Sequence, residues 1–547
     1  MLVSLALLAG TSPAAASAAA GFRDFAWTAK SVNGPSAQKP QSKLWYNDGA
    51  WWGDLFDRSS NTWRIHRLDA ATQTWSNTGT TVDDRPGTWA DALWDGTHLY
   101  IASAGTSPTN GADKARLYRF SYSPSTKTYT SDGAPTTIAD YGMEAIVIDK
   151  DSTGALWATW THNNQVYVNT GNSTNGAWGT PFVMPGSTAV DPDDISSVVS
   201  FKGNIGVMWS NQVAHAMYFG QHADGEPAAT WATRTVVDGD KLVDDHINLK
   251  SLQEIDGKIF ATVKTSLGDI PGGNPDAPLI LLLKRDAAGT WSTTTISTVK
   301  DDQTRPIVTL NPSQDKLYVF ATTPVGGGTV ESGTAETAIF YKTTSMSSPS
   351  FGPGPGTPFI QTDGDLHIND ATSTKQTVTA GSGVVVLASD NVSGFYMHGV
   401  IAPTTAPPGT TNPGGPTSPG DTGSTPVTQP SGPPVRGPVA VPVAVPVAVP
   451  VAPSACPADR TAVVRWSVPK HLRMSSIVVT VAGKRYAKFK GSRHSVAVRL
   501  GKQPGTFRVE IRGVARNGKV YSARRTVSGC AGPGGKALRL TRAVRRT

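Results

Sequence analysis

One short unit, two apolar strands around a tight polar turn, is written seven times in this 547-residue chain, and nothing else in the sequence constrains the fold as much. The copies run from Lys43 to Asp57, Asp91 to Ala104, Glu144 to Trp160, Ser197 to Ser210, Ser251 to Lys264, Ile307 to Thr323 and Lys375 to Ser389. Their starts lie about 50 to 70 residues apart, the period of four-stranded propeller blades with some lengthened loops. A second feature recurs in register: a third strand, a polar turn, then an aromatic residue opening a fourth strand. Those aromatics are Trp75, Tyr129, Trp178, Trp231, Trp291 and Phe351, each expected to cover its turn and pack between blades.

The seventh copy has only three strands, ending near Phe395–Ala402. An open blade edge leaves backbone groups unpaired. The segment beginning Phe22-Arg23-Asp24-Phe25 precedes the first copy and has nothing of its own to pair with, so it is expected to supply the missing outer strand. The predicted fold is all-β: a seven-bladed β-propeller over 21–402 closed by an N-terminal strand, plus a small C-terminal antiparallel β-sandwich over 454–532 and a basic, loose tail over 533–547.

Between the two domains, 403–453 reads as a linker. It is Gly/Pro/Thr/Ser-rich at first and then repeats Val-Pro-Val-Ala, where regular prolines favour an extended, semi-rigid spacer. Residues 1–20 hold an apolar run, Leu2–Ala9, followed by small residues, which reads as a secretory signal cut between Ala18 and Gly21. The basic residues that ordinarily precede such a run are missing, so a start upstream of Met1 is expected. Cys456 and Cys530 are the only cysteines and bracket the last domain, so in an exported protein they are expected to form one disulfide. No membrane span is expected, because no stretch reaches the length of apolar residues a span needs.

The net charge of +8 conceals a division. Residues 454–547 hold 22 Lys+Arg and 2 Asp+Glu, which leaves the rest of the chain net acidic. Asymmetry of this kind speaks to partners rather than to fold. A basic appended domain suits an anionic cell-wall polymer or acidic polysaccharide. Nucleic acid ranks last, since no basic motif interleaved with aromatics is present.

In a propeller, the connections from each outer strand to the next inner strand surround one mouth of the central channel. Those junctions are rich in charge. The candidate catalytic residues are His246, Asp245, Arg305 and Glu144; the candidate binding residues are Arg85, Asp84, Asp194, Asn248, Lys250, Asp302, His367 and Asn369. Paired carboxylates divide acid and base roles in glycoside hydrolysis. A His beside an Arg suits proton abstraction next to a sugar carboxylate. Against this, Asp at strand starts commonly caps turns, and Asp–Arg pairs commonly stitch neighbouring blades. Several Asp residues around an axis would suit a hard cation such as calcium, but no dense ligand loop is present, and His246 and His367 lack the spacing of a zinc site. No cofactor is expected. Trp51, Trp52, Trp89 and Trp94 form an aromatic group in the first two copies, read mainly as blade packing.

The turn Asn172–Pro181 resembles the aspartate-box turn of sialidase-like BNR-repeat propellers, and Asp286–Trp291 and Asp69–Trp75 resemble it more loosely. That resemblance implies a sialidase-like propeller over about 22–402. Such enzymes grip a substrate carboxylate with three arginines, of which Arg85 and Arg305 would be two; Arg23 sits where a third would lie, although Asp24-Phe25 replaces the family's Ile-Pro. No Tyr/Glu nucleophile pair is placed. The reading is therefore a secreted monomer recognising or cleaving extracellular carbohydrate at the propeller mouth, with the basic module attaching it to anionic surfaces such as a cell wall. The alternative is a non-catalytic propeller that binds a protein or cell-surface partner.

Overall fold

The computed structural model describes residues 20–28, 32, 34–36, 39–252, 256–326, 329–330, 335–362 and 367–404, together with a set of strands between 461 and 542. The signal-like segment, most of the linker, and Cys456 and Cys530 lie outside the described residues. The chain divides into two compact units after Thr410.

The first unit is a seven-bladed propeller. Blade 5 shows the pattern: Ile247–Ser251 innermost, then Ile259–Lys264, Pro278–Arg285 and Trp291–Thr298, each antiparallel to the one before. In blade 5 the inner two strands are buried along their whole length, Asn248 and Lys250 included, while the outer strand of blade 4, Ala232–Asp238, is exposed or half-buried throughout. Blade 2 departs slightly: both Thr128–Ser131 and Thr136–Ala139 pair with its third strand, Ala115–Ser123.

Closure occurs as the missing fourth strand required. Phe22–Ala26 pairs antiparallel with Phe395–Ile401, completing blade 7 as the outermost strand. Asp24 accepts from His398 at 2.9 Å, and Trp27 is buried just beyond. The ring is also sewn along the axis, where each blade bonds the next through its inner strand or the residues flanking it. Ala92 N–H donates to Ser42 O at 2.7 Å, Ile148 N–H to Asp91 Oδ2 at 2.9 Å and Ser200 N–H to Asp149 Oδ2 at 2.7 Å. Ser251 Oγ donates to Ser200 O at 2.6 Å, Val308 N–H to Asn248 Oδ1 at 3.1 Å and Val378 N–H to Leu310 O at 2.8 Å. Leu44 N–H donates to Ser373 O at 3.0 Å and completes the cycle.

The recurring aromatics sit between blades. Tyr129 of blade 2 meets Trp45 and Trp52 of blade 1, Trp231 of blade 4 meets Trp157 of blade 3, and Trp291 of blade 5 meets Phe219 of blade 4, all edge to face. Such pairs add about 0.5–1.5 kcal/mol each beyond buried area. Trp51 and Trp52 are buried blade packing, whereas Trp89 and Trp94 are only half-buried.

The second unit carries two sheets. Ser495–Arg499, Thr461–Ser467 and Leu538–Arg539 form one; Lys484–Lys490, Met474–Val481, Thr506–Ala515, Val520–Ser528 and Thr541–Arg542 form the other. Ile477, Val479, Val509 and Ile511 are buried in it. Pairing is antiparallel except where Trp466–Ser467 meets Leu538–Arg539 in parallel. Part of the basic tail expected to be loose thus contributes two short strands. Among the described residues no helix is long and apolar enough to cross a membrane.

Candidate binding site at the junction-side mouth

Inner strands all begin at the same end of the channel, so the outer-to-inner junctions meet there. The segment entering blade 1 brings Lys39. The junctions entering blades 3, 4 and 5 bring Glu144, Asp193 and Asp245, whose carboxylate oxygens lie within 4.8 Å of one another. Lys39 Nζ stands among them, hydrogen-bonded to Asp245, 3.0 Å from Glu144 and 3.9 Å from Asp193. The carboxylates are graded in exposure: Asp245 side chain 9%, Glu144 28%, Asp193 66%. The Lys39 ammonium thus stands within a carboxylate group whose oxygens are also spaced to hold a hard cation such as calcium.

His246 lies beside this cluster. Its Nδ1 faces Asp244 and, at 2.7 Å, Asp245. Both partners are acceptors, which assigns the ring proton to Nδ1 and leaves Nε2 to accept from the Thr304 hydroxyl at 3.4 Å. Burial disfavours the imidazolium and pulls the His246 pKa down to about 4, so the ring is neutral near pH 7. Burial works against the Asp244 charge as well, but His246 and the Lys264 ammonium, 2.7 Å away, hold that carboxyl well below the usual range.

Arg305 is next to Thr304 and pairs with Asp370 across blades 6 and 7 at 2.9 Å. The backbone here is unusual. Lys39, Asp302, Arg305 and Asp370 all have φ between 43° and 58°. Each non-glycine residue in that region costs of order 1 kcal/mol. Many of the chain's other positive-φ residues occupy hairpin turns, as Asp48 and Lys202 do, so the concentration at this mouth is a local signature. Two half-buried aromatics open at the same end: Tyr141, stacked on His162 with centroids 3.8 Å apart, and Trp89.

Of the sequence candidates, Glu144, Asp245 and His246 come together, with Arg305 alongside. The others do not join them. Arg85 is turned back onto Asp83 at 2.7 Å and the carbonyls of Ala112 and Lys114. Asp84 is exposed, 3.9 Å from Arg116. Asp194 is a turn cap, accepting from Asp191 and Gln212 N–H, and burial raises its pKa. Asp302 accepts from Val330 N–H, and Asn369 accepts from the Thr322 hydroxyl. His367 is held by its own N–H to Asp390 at 3.2 Å. Asn248 bonds the inner strand of blade 6. Lys250 is deeper still: it spans the channel to Ser42 Oγ at 3.1 Å. Sequence reasoning missed Lys39, Asp193, Asp244, Lys264 and Asp370. Lys39 has a signal, since Lys39-Pro40 occupies in blade 1 the junction position that carries charged residues in the other blades.

No protein-family model matches the sequence, and no curated protein does. The aspartate-box resemblance of the outer turns is therefore not accompanied by any sialidase or BNR family match. Among solved structures, hydrazine synthase of Kuenenia stuttgartiensis is 10% identical, with a TM-score of 0.41 over 68% of this chain and 98% of that one. The polysaccharide lyase Uly1 is 8% identical, TM-score 0.37, over 69% and 92%. A GH43_1 enzyme from Xanthomonas citri complexed with xylose is 11% identical, TM-score 0.30, over 50% and 95%. At such identities and scores these are likenesses of shape, and neither substrate nor chemistry carries over from them.

Proposed function

We propose that this protein is exported and binds carbohydrate at the junction-side mouth of its propeller. The observation that carries the reading is the convergence of Glu144, Asp193, Asp245 and His246 from three separate junctions, graded from buried to exposed. Ionised carboxylates only accept hydrogen bonds, and neighbouring sugar hydroxyls are donors in pairs, so three carboxylates at this spacing offer acceptors to a vicinal diol. Half-buried Tyr141 and Trp89 offer faces for the CH side of a sugar ring. Left-handed backbone at Lys39, Arg305 and Asp370 supports the same end of the channel as the functional one.

Binding without cleavage is favoured over hydrolysis. Lys39 stands between the carboxylates where a scissile oxygen would have to approach, and Arg305 is engaged by Asp370. If bond breaking occurs, the group equipped for it is His246, whose neutral ring has Nε2 in acceptor form and Nδ1 oriented by Asp244, the arrangement of a general base. The basic C-terminal unit would then tether the propeller to an anionic surface.

The test is a glycan array with the full chain, followed by titration of the strongest ligand against Glu144→Gln and Asp193→Asn. Each is expected to weaken binding at least tenfold with an unchanged melting midpoint. An array with no ligand, or variants that melt early yet bind normally, would instead mean that the mouth merely stitches blades.

A further inference from the structure

The channel holds a second, chemically different site toward its opposite end. A cavity of about 400 Å³ lies there, lined in part by the first hairpin turn of blade 2 at Asp95-Gly96. Its walls combine apolar side chains, among them Trp94, Val198 and Leu249, with Asp149, Lys250 and Lys375.

The two lysines differ. Lys375 is fully engaged, 2.7 Å from the buried Asp91 carboxylate and donating to Ile148 O at 2.6 Å. Lys250 is 5% exposed, and its ammonium donates to the Ser42 hydroxyl. No carboxylate lies within ion-pairing distance of it among the described residues. A buried ammonium held by a single hydroxyl is expensive, and the cheapest remedy is loss of its proton.

We propose that Lys250 is a neutral amine nucleophile that captures small aldehydes or ketones entering this cavity, forming a reversible imine. In the step, the Nζ lone pair attacks the carbonyl carbon and the carbonyl oxygen takes a proton. The resulting carbinolamine loses water, and C=N replaces C=O; no oxidant or reductant enters. The groups facing Lys250 favour this. Burial and the neighbouring Lys375 charge lower its pKa to about 7 against the pull of Asp91 and Asp149. Burial also raises the Asp149 pKa, which suits a carboxyl in the same cavity for handing on the proton that dehydration requires. Lysines activated in this way by desolvation and a second cation are the ones that do carbonyl chemistry. The inference does not rest on the carbohydrate reading, because the two sites share no residue.

The full chain is incubated with glycolaldehyde at pH 7, reduced with sodium borohydride, digested and mapped by mass. Lys250 is expected to carry the reduced adduct at least tenfold above exposed Lys127 and Lys316, with half-maximal labelling near pH 7. Lys375→Met removes the neighbouring positive charge and frees Asp91 to stabilise the Lys250 ammonium, so its half-maximum should move to higher pH. Lys250→Arg should lose the adduct. Labelling of Lys250 no greater than that of the exposed lysines, labelling only after denaturation, or a half-maximum unmoved by Lys375→Met would overturn the proposal.

Discussion

The junction-side mouth and the interior of the same channel are built from the same residue types, lysine and aspartate, to opposite ends. At the mouth, one lysine faces three carboxylates of increasing exposure, so acceptor capacity is left over toward water. Inside, Asp91 is 0% exposed and saturated: Ser42 N–H at 2.8 Å, Ile148 N–H at 2.9 Å and Lys375 Nζ at 2.7 Å all converge on it. One carboxylate thereby joins blades 1, 2, 3 and 7. Surplus carboxylate at the mouth leaves acceptors for a ligand, whereas the matched charges around Asp91 make a rivet, beside which Lys250 stays without an ion-pair partner among the described residues.

The sharpest way to break that contrast is Asp91→Ala. It strands a buried ammonium and two N–H groups, and a loss of about 3–5 kcal/mol in denaturant unfolding is expected, as for removal of one partner of a buried pair. A loss under about 1 kcal/mol would show that the interior is no rivet.

Acid separates the two regions next. The folded-state pKa of His246, about 4, lies below its ordinary value near 6.5, so the native state prefers the neutral ring. Its contribution is complete above about pH 6.5 and is lost as pH falls toward 4, by about 3 kcal/mol at most. Asp244, held low, loses its own contribution only below the ordinary carboxylate range. Melting curves between pH 7 and 4 should therefore flatten in His246→Gln, and equal slopes would contradict the neutral assignment.

A smaller effect is expected from Lys39→Met, about 1–3 kcal/mol, because only Asp245 of its three partners is well buried. Added calcium should then raise the melting midpoint of the variant and not of the parent, since three carboxylates would have lost their resident cation. Smallest of all, Asp286→Asn on an outer turn should stay within about 0.5 kcal/mol: an amide oxygen can still accept from Thr290 N–H, the bond Asp286 makes now.

These contrasts follow the line between what was legible in the sequence and what was not. Period and strand count are local properties, and they led directly to seven blades, the interblade aromatics and the Phe22–Ala26 closing strand. Junction charge was legible too, and it put Glu144, Asp245 and His246 in one place. Which junction residues turn inward was not legible. Arg85 and Asp194 carry the right chemistry, but each is captured by its own loop within a few residues or by the adjoining strand. Lys39 escaped notice because it precedes the first repeat, and its importance arises only when the ring brings it opposite blades 3 and 5. Lys250 reads as one more junction charge, yet the register of Ile247–Ser251 carries it down into the channel.

Paired glycan binding and thermal melting of Glu144→Gln, Asp193→Asn and Asp91→Ala, all in the full chain, test most directly whether the mouth is a site and Asp91 a rivet. At least tenfold weaker binding with unchanged melting is expected for the first two, and early melting for the third with binding intact below its transition. Mouth variants that melt early and bind normally would contradict that assignment.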